Sequence, residues 1–209
     1  MTKRVRALLE HYHPQPLGEK YTYAVCLPLV WTDGQWQVLY EIRSEFISQP
    51  GEVSFPGGGI ENEETAEMAA IRELVEELNI HHSQVELLGE IDYLVLAGST
   101  IRCFVGCLHL DWHTIQPNEE VERLFTVPLT ALLETDPVYY QLDSKVVPDC
   151  DFPFERLRAG IGYSFSHHKR SIPFYENLPE NIWGMTAQFT HRFVEILRSE
   201  GQSEWYNNR

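Results

Sequence analysis

The stretch FPGGGIENEETAEMAAIRELVEELNI, residues 55–80, joins three consecutive glycines to the most regular helical pattern in the chain. Within it, the apolar residues of Ala66–Leu78 recur every three or four positions, which predicts an amphipathic helix. Thr65 suits the N-cap of this helix, and Asn79 suits the left-handed residue that ends it. The same spacing gathers three carboxylates into one acidic face, formed by Glu73, Glu76 and Glu77.

The other sides of the predicted helix carry apolar and small residues. An apolar stripe is expected to pack against the rest of the protein, and it comprises Met68, Ile71, Leu74, Val75 and Leu78. Ala69 and Ala70 flank the acidic face, and we expect them to leave room for a ligand to approach. The acidic face itself is expected to be exposed.

The acidic face has two interpretations. One is an ordinary solvated helix surface, because charged residues are common there. The other is a metal site, because like charges at this spacing repel and Arg72 is the only basic residue in the helix. Mg²⁺ prefers carboxylate oxygens and would relieve that repulsion. The upstream glycines let the backbone turn sharply and leave a carbonyl free to face the carboxylates, so the combination favours a metal site.

The composition narrows the class of protein. Hydrophobic residues make up 43% of the 209 residues, enough for a substantial core, and the formal net charge is −15. This acidic balance argues against nucleic-acid binding, which relies on clustered Lys and Arg. No apolar run reaches the ~20 residues of a membrane span, and the N-terminal apolar stretch is too short for a signal peptide. The four cysteines favour free thiols in a reducing cytoplasm.

The order of predicted elements indicates an α/β fold. Strands are predicted at 21–31, 36–42, 53–55, 85–96 and 101–110, and helices at 4–12, 66–78, 128–134 and 184–199. Asp33-Gly34 between the first two strands is typical of a hairpin. Strands on both sides of a central helix favour a mixed sheet covered by helices. We expect an N-terminal extension over 1–20 and a single domain over 21–209, with a variable substrate-side region at 137–183.

Segment 58–80 resembles the signature of the Nudix hydrolases, G-x5-E-x7-R-E-U-x-E-E-x-G-U, in which U is an aliphatic residue. The residues of this chain that correspond to the signature are Gly58, Glu64 and the run RELVEELNI over 72–80. One of the nine fixed positions differs, because Asn79 stands where the family has Gly. Asn is the next most suitable residue for a left-handed helix end. The resemblance implies a Nudix-like α/β/α sandwich with a central mixed β-sheet and a catalytic loop-helix-loop at 58–80.

The resemblance also implies a role for each signature residue. The implied ligands of Mg²⁺ or Mn²⁺ are the Gly58 carbonyl and the three carboxylates of Glu73, Glu76 and Glu77. Glu64 would lie in the outer part of the metal site. Arg72 would hold Glu73 through a salt bridge, and a plain surface ion pair is the alternative for Arg72. The family reaction is hydrolysis of a diphosphate linked to another moiety, for which the metal neutralises charge and activates water.

The attacking water also requires a carboxylate that orients it or takes its proton. Nudix enzymes often carry this residue on a loop well after the helix. Here the acidic segment Asn118–Glu122 precedes a predicted strand that begins at Leu124, and it resembles that loop. Glu120 is the first candidate for the base and Glu119 is the second. An ordinary solvated loop is the alternative.

Two more segments resemble the coenzyme A pyrophosphatase branch of the family. Its upstream motif, LLTxRSx3Rx3Gx3FPGG, is similar to the chain from Leu39 through Arg43-Ser44 to Gly58, without the motif's second Arg. Near the C-terminus, IWGMTA at 182–187 resembles the segment that opens the last helix in that branch. Arg43 is therefore a candidate for binding a substrate phosphate, and a buried structural ion pair is the alternative.

The resemblance implies an enzyme that hydrolyses coenzyme A or acyl-CoA to 3′,5′-ADP and (acyl-)4′-phosphopantetheine with Mg²⁺ or Mn²⁺. A Nudix pyrophosphatase for ADP-ribose, NADH or another nucleotide is the alternative, and a non-catalytic nucleotide-binding Nudix-fold protein is the second. The expected partners are a small nucleotide-containing substrate and, as one option, a second copy of the chain in a homodimer. No nucleic acid or membrane is expected as a partner. The histidines show no zinc-ligand spacing, so zinc is not expected.

Overall fold

The computed structural model of the chain describes residues 2–12, 17–18, 21–96, 98–143, 151–163 and 169–199. Its helices are α1 (Thr2–Glu10), α2 (Ala66–Leu78), α3 (Leu129–Glu134) and α4 (Gly184–Ser199). Its strands are β1 (Tyr21–Thr32), β2 (Gln35–Arg43), β3 (Val53–Ser54), β4 (Gly57–Gly59), β5 (Val85–Glu90), β6 (Leu94–Leu96), β7 (Ser99–Leu108), β8 (Val121–Pro128), β9 (Val138–Asp143), β10 (Lys169–Tyr175) and β11 (Ile182–Trp183).

The main sheet is mixed, as the sequence predicts. Its main path has the order β3-β2-β1-β7-β5, and β4, β6 and β8 pair with β1, β7 and β2 off this path. β1 and β7 run parallel, from Tyr21 opposite Ser99 to Val30 opposite Leu108. The neighbouring pairs are antiparallel. The parallel pair therefore lies at the centre of the sheet.

Helices cover both faces of this sheet. On one face, Leu74 and Leu78 of α2 share a hydrophobic cluster with Ala24 and Cys26 of β1. On the other face, α3 and α4 share a cluster with the alternate residues of β1. The two helices contribute Leu129, Leu132, Leu133, Ala187, Phe189, Phe193, Val194 and Leu197. Successive strand residues point to opposite faces, so β1 supplies both clusters. The α/β/α sandwich is confirmed.

The hairpin between β1 and β2 is also confirmed. Thr32 pairs with Gln35, and the two residues between them have positive φ, 52° for Asp33 and 74° for Gly34. Two such residues give a turn whose twist matches that of the flanking strands, and Asp-Gly tolerates it.

Several predicted bounds are wrong. The strand predicted over 85–96 is divided into β5 and β6, which are separated by residues 91–93. β5 itself is irregular, because its pairing with β7 shifts register between Leu87 and Gly89. β7 covers 99–108 where the pattern predicts 101–110, and α1 covers 2–10 where it predicts 4–12. The predicted helices over 66–78 and 184–199 match α2 and α4.

Region 137–183, which the sequence leaves poorly defined, contains a second sheet. It is antiparallel and has the order β11-β10-β9. Phe174 of β10 stacks on Trp183 of β11 with 5.2 Å between the ring centroids. Residues 144–150 and 164–168 of this region lie outside the described part of the chain.

The cysteines within the described residues are buried and free, and they are Cys26, Cys103 and Cys107. Free thiols are what the sequence predicts, and their burial makes these residues small members of the core. Burial raises the pKa of the Cys26 thiol to about 12, which makes it unreactive. None of the described helices combines the length and apolar character needed to cross a bilayer.

Candidate active site

Helix α2 is fixed at both ends by the residues that the sequence predicts. The Thr65 hydroxyl accepts a hydrogen bond from the Met68 amide at 3.2 Å. Asn79 adopts the left-handed conformation, with φ 51° and ψ 47°. Its side-chain amide also donates to the Gln116 carbonyl at 3.3 Å. A glycine could end the helix but could not make this second contact, so Asn79 ties α2 to the acidic loop, residues 116–120.

The buried face of α2 differs from the prediction. Ala69 and Ala70 are fully buried in the cluster that contains Ala24 and Cys26 of β1, so they leave no room beside the acidic face. Met68 is 56% exposed, although the pattern places it in the apolar stripe. Small side chains let the helix approach the sheet closely, and the alanine side of α2 therefore turns inward.

Glu77 lies on this inward side. It is 6% exposed, where the sequence predicts an exposed position. Its Oε1 accepts a hydrogen bond from the Gly57 amide at 3.3 Å. Burial, and then the negative charge of Glu41 on β2, raises the pKa of Glu77 to about 10. Glu76 stays exposed, so the acidic face lies partly inside the protein and is not an ordinary solvated surface.

Arg72 connects the acidic face to the glycine turn, residues 57–59. Its Nε and Nη2 bind the two oxygens of Glu64 at 2.9 and 3.0 Å. Its Nη1 binds Glu73 Oε1 at 2.8 Å and Glu76 Oε2 at 3.3 Å, and Nη2 also donates to the Gly59 carbonyl at 3.1 Å. A planar guanidinium is suited to such multiple contacts. Arg72 thus holds Glu73, as predicted, and also holds Glu64.

Two of the three carboxyl groups that bind Arg72 have pKa values shifted in opposite directions. Arg72, together with the Glu61 amide, lowers the pKa of Glu64. Partial burial raises the pKa of Glu73 in spite of Arg72, and the charges of Glu76 and Glu120 add to the rise. Glu73 therefore lies where negative charge is concentrated, and a cation would be stabilised there.

Gly58 lies directly against the Glu73 carboxylate. A Cβ added at residue 58 would be 2.1 Å from Glu73 Oε1, whereas one added at Gly59 would meet nothing within 4 Å. Pairing of Gly58 with Ala24 of β1 fixes the backbone in this position. Glycine at 58 therefore brings main-chain atoms beside the acidic face, as a carbonyl ligand to a metal requires.

The acidic loop docks on the end of α2. The Asn118 amide donates to the Glu77 carbonyl at 2.8 Å. The Asn118 side chain accepts a hydrogen bond from the Glu120 amide at 2.9 Å, and the Glu120 carbonyl accepts one from the Ser44 amide at 2.9 Å. These contacts hold residue 120 between the helix and the end of β2.

Glu120 is close enough to influence the acidic face. Its charge raises the pKa of both Glu73 and Glu41, after the larger effect of burial. Glu119, the second candidate for the base, is exposed in the same turn. The structure thus brings the predicted late carboxylate together with the helix carboxylates.

Sequence reasoning missed one carboxylate, Glu41 of β2. It is 2% exposed, and its Oε1 accepts a hydrogen bond from the Ser54 hydroxyl at 2.8 Å. Burial raises the pKa of Glu41, and Glu41 and Glu77 interact directly. The sequence does contain a signal, since Glu41 is a charged residue within the otherwise apolar run Val38–Ile42. A carboxylate is almost never buried without a partner, so a glutamate in such a run indicates that a partner lies nearby in the fold.

Arg43 closes the loop between β2 and β3. Its Nε donates to the Ser48 carbonyl at 2.8 Å and its Nη2 to the Ser48 hydroxyl at 3.3 Å. These are contacts with an uncharged residue, unlike the buried ion pair that was the alternative for Arg43. The next residue, Ser44, binds Glu120, so this loop lies beside the candidate site.

A second group of metal-ligand side chains lies apart from the acidic face. Glu86, Cys107 and His109 each offer one ligand atom, and these atoms lie within 4.8 Å of one another. His109 Nε2 and Glu86 Oε2 are 2.8 Å apart. Cys107 lies on the same face of β7 as Cys103, which belongs to the cluster opposite α2. Spacing along the chain does not reveal this group because Glu86 comes from the neighbouring strand.

Comparison with known proteins gives relatives for most of the chain. A family model of the NUDIX domain matches residues 20–150. Nudix hydrolase 3 from Caenorhabditis elegans is 26% identical over 211 residues, which cover 95% of this chain and 83% of the relative. The mitochondrial coenzyme A diphosphatase NUDT8 from Homo sapiens is 28% identical over 200 residues, with 93% and 77% covered.

The peroxisomal coenzyme A diphosphatase NUDT7 from Mus musculus is 35% identical over 123 residues, which cover 57% of this chain. The chain spans about half of that relative, 51% of its length. Among solved structures, a MutT/nudix family protein from Enterococcus faecalis has a TM-score of 0.50 at 10% identity, covering 95% of this chain and 70% of that one. This last likeness concerns the fold alone.

The family match includes every part of the candidate site described above. The glycine turn, α2 and the acidic loop all lie within residues 20–150, and they bring the signature residues together around Arg72. Sequence, fold and site agree, and we conclude that the chain belongs to the Nudix family and is a pyrophosphohydrolase.

Proposed function

We propose that this pyrophosphohydrolase cleaves coenzyme A or acyl-CoA to 3′,5′-ADP and (acyl-)4′-phosphopantetheine, with Mg²⁺ or Mn²⁺ as its cofactor. One observation carries the choice of substrate: the two segments that resemble the coenzyme A branch contact each other. Trp183 Nε1 donates to Glu52 Oε2 at 2.6 Å, and Thr186 Oγ1 donates to the Val53 carbonyl at 2.9 Å. Segments at opposite ends of the chain thus form one unit that leads into the glycine turn.

The relatives support the same substrate. Two of them carry the name coenzyme A diphosphatase, at 35% and 28% identity. Related folds take different substrates because function depends on the site, so ADP-ribose and NADH are retained as the competing substrates for the test.

The acidic face fits a hard divalent cation. Its carboxylates and the neighbouring Gly58 backbone supply the oxygen ligands that Mg²⁺ and Mn²⁺ prefer. Glu77 Oε2 is buried and has no hydrogen-bond partner among the described residues, and burial of such an atom is costly. Glu73, Glu76, Glu77 and the Gly58 carbonyl would hold the ion. A bound cation would neutralise diphosphate charge and lower the pKa of a coordinated water.

The chain's own residues would position the reactants. Arg72 holds the helix carboxylates and the glycine turn in one arrangement, and Glu64 secures Arg72 from the other side. We assign Glu120, with Glu119 as second choice, to orient the attacking water and accept its proton. We assign Arg43 to contact a substrate phosphate from the loop that it closes.

The domain boundaries, assembly and location remain proposals. We propose a domain over 21–209, a small nucleotide-containing substrate as partner, and a homodimer as the assembly to test. We propose a cytoplasmic location, which free thiols favour, whereas the names of two relatives assign those proteins to the peroxisome and the mitochondrion. Fractionation of cells that express the protein distinguishes these compartments.

A substrate panel tests the proposed activity. Purified protein with Mg²⁺ receives coenzyme A, acetyl-CoA, ADP-ribose or NADH, and mass spectrometry identifies the products. We expect 3′,5′-ADP from coenzyme A and its thioester, and no turnover after exhaustive chelation. A kcat/KM for ADP-ribose or NADH that is about tenfold higher or more would overturn the choice of substrate. Full activity after chelation would overturn the metal requirement.

A further inference from the structure

We propose that Glu41 is an additional ligand of the divalent cation, so that the metal site extends from α2 onto strand β2. This inference rests on the metal-dependent function proposed above. It adds a residue outside segment 58–80 and assigns a role to a buried carboxylate that the predicted ligand set leaves unused.

The Glu41 and Glu77 carboxyl groups approach each other from different elements. Each has one oxygen occupied, because Glu41 Oε1 binds the Ser54 hydroxyl at 2.8 Å and Glu77 Oε1 binds the Gly57 amide at 3.3 Å. The second oxygen of each, Oε2, is buried without a hydrogen-bond partner in the described part of the chain. Two unpartnered carboxylate oxygens are thus enclosed beside the acidic face.

The basic side chain of α2 does not compensate this pair. Arg72 forms salt bridges with Glu64, Glu73 and Glu76. The salt bridges found among the described residues include neither Glu41 nor Glu77. Against the larger effect of burial, the charge of Arg43 lowers the pKa of Glu41, but the guanidinium is hydrogen-bonded to Ser48 and forms no salt bridge with Glu41 among the described residues. Buried carboxylates without a close counter-charge are strongly destabilising. A proton shared by Glu41 and Glu77 would remove one negative charge. A divalent cation would instead coordinate both Oε2 atoms and also compensate the negative charge of nearby Glu73.

The position of Glu41 suits a ligand. Glu41 pairs with Ser54 of β3 on one side and with Leu124 of β8 on the other, so its backbone is held from both edges. Leu39, two residues earlier on the same face of β2, is buried in the cluster that packs against α2. The carboxylate of Glu41 is therefore directed toward the acidic face from a strand that is held on both sides. Rigid elements of this kind position metal ligands more precisely than loops do.

Binding of Mn²⁺ tests this role without relying on activity. Free Mn²⁺ is measured by electron paramagnetic resonance in titrations of the wild-type protein, Glu41→Gln and Glu134→Gln. Glu134→Gln is the control because it removes an exposed carboxylate at the end of α3, which packs on the face of the sheet opposite α2. We expect Glu41→Gln to weaken Mn²⁺ binding about tenfold or more, and Glu134→Gln to bind as the wild type does. Mn²⁺ should also raise the melting temperature of Glu41→Gln less than that of the wild type.

The possible results are separable. Wild-type Mn²⁺ affinity in a folded Glu41→Gln would make Glu41 a proton-sharing partner only and would overturn this inference, while the proposed function stands. Absence of Mn²⁺ binding by the wild type would overturn the metal requirement of the proposed function and this inference with it. If Glu41→Gln fails to fold, Glu41→Asp replaces it in the titration. Aspartate keeps the charge, but its shorter side chain moves the carboxylate oxygens away from the acidic face. Weaker Mn²⁺ binding by Glu41→Asp supports the inference, and unchanged affinity overturns it.

Discussion

The Asn118 amide donates a hydrogen bond to the Glu77 carbonyl at 2.8 Å. One residue of α2 therefore supplies a buried carboxylate to the acidic face and a main-chain anchor for the acidic loop. Glu120 lies two residues after Asn118, and the Glu120 amide donates a hydrogen bond to the Asn118 side chain. The proposed base is thus positioned by the same helix that carries the proposed metal ligands.

Replacement of Gly58 by alanine should lower kcat by about 10²-fold, because the new Cβ would lie 2.1 Å from Glu73 Oε1 and would displace that carboxylate. Gly59→Ala is the matched control, since nothing lies within 4 Å of a Cβ there, and it should keep near-wild-type turnover. The measurement is kcat with coenzyme A and Mg²⁺, with circular dichroism as the check on folding. Equal kcat in the two variants would contradict the role of the Gly58 approach.

Arg72→Lys should lower kcat by about 10-fold or more, because an ammonium group cannot bind Glu64 and Glu73 with the same planar geometry. Glu64→Gln should weaken the same network from its other end. The double variant should therefore lose less than the product of the two single losses, and a double-mutant cycle on kcat measures this coupling. Independent, multiplicative losses would show that Glu64 does not act through Arg72.

The metal-free protein should lose thermal stability as the pH rises from about 5 to 8. The pKa of Glu77 in the folded protein, about 10, lies above its ordinary value of 4.5, so between these values the folded state retains a proton that the unfolded state releases. Rising pH then favours unfolding. Glu64 has a lowered pKa, so its contribution changes only at more acidic pH.

Melting temperatures of chelated protein across this pH range measure the effect, and Glu77→Gln provides the comparison. The variant cannot ionise at residue 77, so its melting temperature should depend less on pH than that of the wild type. The same slope in both proteins would assign the pH dependence to other groups.

Glu120→Gln should lower kcat by about 10²-fold, because the amide cannot accept the proton of the attacking water. Its Mn²⁺ affinity should match that of the wild type, which separates a base from a metal ligand. Glu119→Gln is the control from the same turn and should keep near-wild-type kcat. If only Glu119→Gln slows the reaction, the assignments of the two residues are reversed.

Helix α2 could be predicted from the sequence because its determinants are local. Thr65, Asn79 and the period of the apolar residues define its ends and its extent, and the pairing of Arg72 with Glu73 joins neighbouring residues. The hairpin at Asp33-Gly34 could be predicted for the same reason, since turn conformation depends on the turn residues themselves.

The orientation of α2 on the sheet could not be predicted from its own sequence. A helical wheel places the large apolar residues inward, but contact with a sheet also favours small residues that permit close approach. Ala69, Ala70 and Glu77 are buried as a result, and Met68 is exposed. Glu41 escaped notice because the carboxylate that it faces comes from another element, and only the folded chain brings the two together.

The contacts from Trp183 to Glu52 and from Thr186 to the Val53 carbonyl have an evolutionary consequence. A modular enzyme can acquire a new substrate by exchanging a terminal segment while its catalytic segment stays intact. Here the terminal segment contacts Glu52 and Val53, which lead into the glycine turn. A chimera in which a relative's last helix replaces α4 would therefore also have an altered glycine turn. We therefore expect substrate selectivity and turnover to change together when either contact is altered.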